Sequence, residues 1–198
     1  MTEHYTDIDR LILDRWKDVV GLTRAHRELQ GRIQETVDTV GDRVARWAQP
    51  HGFMIETRAR YAEIHAWRPA WAQKRRGEKV SLTLGGFCPD GFRKTNTPHP
   101  YLWVYTSGLE DFRVKEPERI TFGHALRASL GDEAQEWEAR DIDEANGPLG
   151  RYLTDYDDEA RVRLIGDSDA LYDFCTKHFP ALFSLADTIE RELTRLAK

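Results

Sequence analysis

From Asp7 to Trp47 apolar residues return every three or four positions: Ile8, Leu11, Ile12, Trp16, Val19, Leu22, Leu29, Ile33, Val37, Val40, Val44 and Trp47. No proline interrupts the run, and the spacing predicts an amphipathic helix. Past Leu22 the steps approach a heptad, with the polar His26 in the seam. Gly21, Gly31 and Gly41 each weaken such a helix by about 1 kcal/mol relative to alanine. The stretch therefore reads as one long helix, or as two with a break near Gly21, ended by Pro50 and Gly52. Its stripe suits a helix lying across a sheet, and its heptad part suits a seam with a partner or a second copy of the chain.

After Gly52 the period changes from three and a half to two. Phe53, Ile55, Thr57 and Ala59 alternate with Met54, Glu56, Arg58 and Arg60. Ala62, Ile64 and Ala66 oppose Glu63, His65 and Trp67, and Val80, Leu82 and Leu84 alternate with Ser81 and Thr83. Tyr101 to Thr106 is an aromatic and β-branched run. These predict three or four strands, mostly antiparallel and wet on one face. Residues 73–78 form a turn, Gly85-Gly86 marks a bulge or strand end, and 89–100 form a proline-rich loop.

Beyond Gly108 the pattern predicts a short helix over 121–130, then an acidic segment, 132–146, as an edge strand or a poorly packed helix around Trp137. A hairpin follows, 149–153 with 160–165. The chain ends in helix, capped by Asp167 or Ser168, with Leu171, Phe174, Cys175 and His178 on one face. Pro180 belongs in the first turn of a second segment, whose stripe is Leu182, Leu185, Ala186, Ile189, Leu193 and Leu196. The order implies one α+β domain: an antiparallel sheet of about five to six strands with long N-terminal and C-terminal helices packed on one face. Its segments are 5–48, 53–106, 107–166 and 168–197.

Composition narrows the class. The 198 residues carry a net charge of −5, with 40% hydrophobic and 32% charged residues, as a soluble globular chain does. No apolar run approaches the length of a membrane span, and residues 1–5 lack the basic and apolar regions of a secretory signal. Cys88 and Cys175 are far apart in sequence and read as reduced thiols of a cytoplasmic protein, and the Arg- and Ala-rich composition suggests a bacterial or phage type.

Recognisable chemistry is scarce. The chain has no glycine-rich phosphate loop, no G-x-S-x-G elbow, no H-E-x-x-H and no zinc-ligand spacing. Pro89-Asp90 would begin a PD-(D/E)xK nuclease site, but no lysine has Asp or Glu two residues before it, and arginine cannot act as the base. The pairs Asp141/Asp143, Asp155/Asp157 and Asp167/Asp169 lack the EF-hand continuation. No cofactor or metal is expected. The one catalytic candidate is Glu63 with His65, a carboxylate and an imidazole on the same side of one strand, as base and orienter; His99 and Asp90 in the loop are the groups that would join them.

Charge layout is the stronger clue. Seven basic residues (Arg58, Arg60, Arg68, Lys74, Arg75, Arg76 and Lys79) face two acidic ones between 58 and 79, with Tyr61, Trp67 and Trp71 interleaved. Residues 132–159 hold eleven acids against Arg140 and Arg151. The expectation is a non-catalytic interaction protein that binds a protein partner through Trp67, Arg68, Trp71, Lys74, Arg75, Arg76 and Lys79. A homodimer through the N-terminal helix is a second form of partner, and no membrane is involved. Single-stranded nucleic acid would use the same stacking logic, but the acidic block and a pI of 5.8 oppose it. A hydrolase with the Glu63/His65 site is the remaining alternative.

Overall fold

A computed structural model of the chain describes residues 6–58, 61–73, 77–88, 97–137 and 143–197. Thr6 opens the first helix, α1 (Asp7–Asp14), with a capping box: its hydroxyl accepts from the Asp9 N–H and the Asp9 carboxylate accepts from its own N–H. Arg15 leaves helical geometry, and α2 (Trp16–Ala48) follows at once. The break thus lies at Arg15 and not near Gly21. Gly21 and Gly31 have open space around them, so no neighbour forces a kink there. Gly41 is different. A Cβ at that position would overlap Thr57 Cγ2, so the missing side chain is what lets α2 lie close against the sheet.

The sheet has the order β1-β2-β5-β6-β7 and is antiparallel throughout. Its strands are β1 (Met54–Arg58), β2 (Glu63–Trp67), β5 (Ser81–Gly85), β6 (Tyr101–Tyr105) and β7 (Leu149–Tyr152). Between β2 and β5 a short hairpin is made by β3 (Ala72–Gln73) and β4 (Gly77–Glu78). Ile64, Ala66, Leu82, Leu84, Leu102, Val104 and Leu149 form the inner face and are all buried. Each large aliphatic side chain among them is worth roughly 1.5–3 kcal/mol over its exposed state. Ile33, Val37, Val40 and Val44 of α2 close over this face, together with Leu171, Phe174, Phe179 and Leu182 of α6 (Ser168–Phe183). Phe53 and Phe183 stack at 3.8 Å where the two helices meet the start of the sheet. The fold is therefore the α+β arrangement expected, with the terminal helices on one face.

Three local expectations change. Residues 160–165 are not a returning strand but part of α5 (Asp158–Gly166). Asp157 caps that helix by accepting from the Ala160 N–H, and the buried positions Arg161, Leu164 and Ile165 have helical spacing. Arg161 points inward and is 1% exposed. It donates to the carbonyls of Gly86, Cys88 and Pro98 and to Asp158, which pins both ends of the loop between β5 and β6. Pro180 stays within α6, near its end, where it forfeits one backbone hydrogen bond, and α7 (Ala186–Leu196) begins after a short turn. The acidic segment starts as 3-10 turns over Gly131–Trp137 with Trp137 buried. The remaining helices are α3 (Gly108–Asp111) and α4 (Glu116–Ser129), the latter being the short helix expected around 121–130.

His178 on α6 gives the fold a measurable acid limit. Burial first, then the positive charges of Lys177 and Arg151, lower its pKa from 6.5 to about 4, and the neutral ring sits 3.2 Å from the Tyr156 hydroxyl. The unfolded chain takes up this proton before the folded one does. Stability from this group is therefore full above pH 6.5 and falls as pH drops towards 4. Thermal melting followed from pH 7 to 4 should show this decline, and His178→Gln, which cannot titrate, should flatten it.

Candidate functional site

The outer face of the sheet is built in rows. Across the strands, Arg58 pairs with Glu63, His65 with Thr83, Thr83 with Trp103 and Trp103 with Gly150. Continuing the β2–β5 register sets Glu63 beside Gly85, which pairs with Tyr101, which pairs with Tyr152. One row thus reads Arg58, Glu63, Gly85, Tyr101, Tyr152, and the next reads Glu56, His65, Thr83, Trp103, Gly150. The glycines are functional in this arrangement. A Cβ on Gly85 would lie 2.7 Å from Tyr101 Oη and 2.9 Å from Glu63 Cγ. Without it, Glu63 and Tyr101 meet over the middle strand. A Cβ on Gly150 would lie 2.5 Å from the Trp103 ring, and one on Gly147 would overlap its Nε1, so the indole lies flat against both glycines.

The expected wet face is in fact largely closed. His65 and Thr83 are fully buried, and Glu63, Ser81, Tyr101 and Trp103 are nearly so. A buried carboxylate is costly unless donors replace water. Glu63 has two: the Tyr101 hydroxyl donates to Oε1 at 2.5 Å and His65 Nε2 donates to Oε2 at 2.9 Å. The carboxylate accepts only, which puts a proton on His65 Nε2, while the other ring nitrogen, Nδ1, faces two hydroxyls. Thr83 Oγ1 lies 3.1 Å and Ser81 Oγ 3.4 Å from that Nδ1. Burial by itself would raise the Glu63 pKa, but the hydrogen bonds from His65 and Tyr101, and the charges of His65 and Arg58, bring it below the ordinary value. Burial, then the neighbouring Glu63 charge, push the Tyr101 hydroxyl well above its usual range, so it remains a donor.

Two clefts meet at Glu63. The larger, about 580 Å3, is lined by Arg58, Tyr61, Glu78, Lys79, Ser81, Tyr105 and α3. The smaller, about 300 Å3, lies over Tyr101, Trp103, Tyr105 and Tyr152 and is edged by Thr97, Asp143, Asn146 and Gly147. Both share Glu63 and Tyr105. The rings form one network: Tyr101–Trp103 and Tyr101–Tyr152 are edge-on at 6.0 and 6.4 Å, and Trp103–Tyr105 is stacked at 6.3 Å.

The residues named from sequence divide accordingly. Glu63 and His65 do come together, with Tyr101 as the third member. Trp67 is half-buried against the core, and Trp71 is wholly inside it, edge-on to Phe53 at 5.9 Å. From there Trp71 offers no ring to a partner, and Trp71→Ala would report a lost core residue, at about 3–5 kcal/mol. Arg68 pairs with Glu190 at 2.9 Å and Asp187 at 3.6 Å and covers the Phe53 ring. Lys79 lies over Phe112 and lines the larger cleft. Lys74, Arg75 and Arg76 fall outside the described residues, as do Arg60 and Asp90. His99 bonds the Tyr156 carbonyl and does not join Glu63. Cys88 and Cys175 are both buried thiols, not joined in a disulfide. No metal-binding group of three or more His, Cys, Asp or Glu side chains occurs among the described residues, and no helix there is long and apolar enough to cross a membrane.

Tyr101, Trp103, Tyr105, Asn146 and Thr97 were missed from sequence. The first three had a signal: along β6 the odd positions are aromatic and the even ones, Leu102 and Val104, aliphatic. Asn146 and Thr97 had none. Compared with protein-family models, curated proteins and solved structures, the chain matches nothing. The site therefore stands on its own geometry. The glycine in the middle of the first row gives a direct check. In an ordinary strand Gly→Ala is stabilising by about 0.5–1 kcal/mol. Gly85→Ala should instead destabilise by about 1–3 kcal/mol in urea unfolding, because the methyl overpacks Tyr101 and Glu63; a neutral or stabilised variant would contradict the row.

Proposed function

We propose that this chain is a non-catalytic binding protein whose ligand sits on the outer sheet face, in the joined clefts at Glu63. The observation that carries this is the state of Glu63. It is an ionised carboxylate held by two donors, partly stripped of water, at the wall common to both clefts. Such a group is a strong hydrogen-bond acceptor and counter-charge. It is a poor general base, since its proton affinity is reduced rather than raised towards neutrality. His65 is fully buried with both ring nitrogens engaged, so it positions Glu63 and has no access to a substrate. The hydrolase reading therefore has less support than binding. Nucleic acid is also less supported, because carboxylates line both clefts and would repel phosphate. The basic turn at 67–79 loses its aromatic anchor with Trp71 in the core. A fragment screen read by protein NMR tests the proposal: shifts should gather on Trp103, Tyr105, Ser81 and Asn146. Hits confined to the 67–79 turn, or none on the outer face, would contradict it.

The N-terminal arm supports a second reading, a partner bound by helix pairing. Leu22 is 71% exposed, Ile8 69%, Leu11 62% and Trp16 57%, whereas α2 is buried only from Ile33 onward. Exposed apolar residues on α1 and on the first turns of α2 are what an unpartnered helical seam shows. The proposed partner is a second copy of the chain. Sedimentation equilibrium should show a dimer that Leu11→Lys with Leu22→Lys converts to monomer; a wild-type monomer at all concentrations would dispose of this reading.

A further inference from the structure

The smaller cleft has features that go beyond a generic binding site. Its floor is aromatic: Tyr101, Trp103, Tyr105 and Tyr152. Its charged lining among the described residues is Glu63 and Asp143, with no Lys, Arg or His. Asp143 stays ionised on a pKa below the ordinary value, held by the Asn146 side chain and by the backbone N–H groups of Ala145 and Asn146. Two lining side chains carry buried polar atoms with no hydrogen-bond partner, Asn146 Oδ1 and Thr97 Oγ1. The Asn146 amide orientation is fixed, because its Nδ2 donates to Asp143 Oδ2 at 2.9 Å and the carboxylate can only accept. Both atoms are closed off from solvent, so the cleft offers its acceptors through the Glu63 and Asp143 carboxylates.

Resting on the binding role assigned to this face, we propose that the smaller cleft takes a guanidinium group, stacked on the Trp103–Tyr105 wall and donating to the Glu63 and Asp143 carboxylates. Three properties of the lining select this chemistry. The aromatic faces and the two carboxylates favour a cation. The carboxylate acceptors favour N–H donors, which a quaternary ammonium lacks. The spread of acceptors around a flat aromatic wall favours a planar fork of donors over a compact ammonium, because a guanidinium stacks and bonds at its edge together. The group can come from a free arginine-like molecule or from an arginine side chain of a partner protein, and the same chemistry serves both.

The experiment is an NMR titration of the whole chain with four probes at millimolar concentration, far below denaturing levels. Methylguanidinium should shift the Trp103 indole and Asn146 side-chain signals. N-methylurea keeps the planar donors without the charge, and tetramethylammonium keeps the charge without the donors; each should bind at least about tenfold more weakly, the worth of a charge-assisted hydrogen bond. Asp143→Asn, at an exposed cleft-edge position outside the main core, should weaken methylguanidinium by a similar factor and leave the melting temperature near that of the wild type. The fourth probe, a short arginine peptide, identifies the source: tighter binding than free arginine marks a partner's side chain, and the reverse marks a small molecule. Equal binding of tetramethylammonium or N-methylurea overturns the guanidinium assignment. So does silence with methylguanidinium while neutral fragments still bind the outer face, an outcome that leaves the binding role intact. Silence with every class of probe overturns both.

Discussion

Glu63 is a carboxylate whose oxygens meet hydrogen-bond donors rather than bulk water, and the outer face of the sheet is arranged around that demand. One donor comes from the same strand two residues on, which requires His65 to share the face with Glu63. The other comes from two strands away, which requires a glycine between them. Gly85 is that glycine. His65 in turn needs partners for its other nitrogen, and Thr83 and Ser81 of the middle strand provide them. A single buried charge thus accounts for the polar residues in two neighbouring strands, and for the placement of Tyr101 at the start of the third.

The inner face works by a different rule. There α2 and α6 supply an apolar layer, and shape decides which residues fit. Gly41 brings the helix down on Thr57, whose hydroxyl bonds Asp38 at 2.8 Å on the helix. Arg161 links the two halves of the architecture. It reaches from α5 to the carbonyls at both ends of the loop that leaves the sheet after β5, and so holds Thr97 at the rim of the smaller cleft. A buried arginine that satisfies backbone carbonyls is a rigid tie, since its removal would leave those acceptors without donors.

Most of the architecture was legible in the residue pattern, because burial on one face writes a period into the chain. The strands at 54–58, 63–67, 81–85 and 101–105 fall where alternation placed them. The misreadings have a common physical origin. In 160–165 a charged residue, Arg161, occupies an inward position, and the pattern of polar and apolar residues then mimics a strand. At Trp71 an aromatic beside a run of basic residues resembled an interface anchor, while its burial depends on contacts with Phe53 that spacing does not reveal. The candidate site was half legible. Glu63 and His65 show themselves as neighbours on one strand face, but Tyr101 joins them only through strand order, and Asn146 and Thr97 through loops whose course is set by tertiary contacts.

The binding proposed for the outer face depends on Glu63 being charged there, and that can be measured without knowing the ligand. A 13C-detected pH titration of the Glu63 carboxyl, in the wild type and in Tyr101→Phe, is the most direct measurement. The account predicts a wild-type midpoint below the ordinary glutamate value of 4.5, and a higher midpoint once the Tyr101 hydroxyl is removed. A wild-type midpoint at or above 4.5, unmoved by Tyr101→Phe, would contradict it.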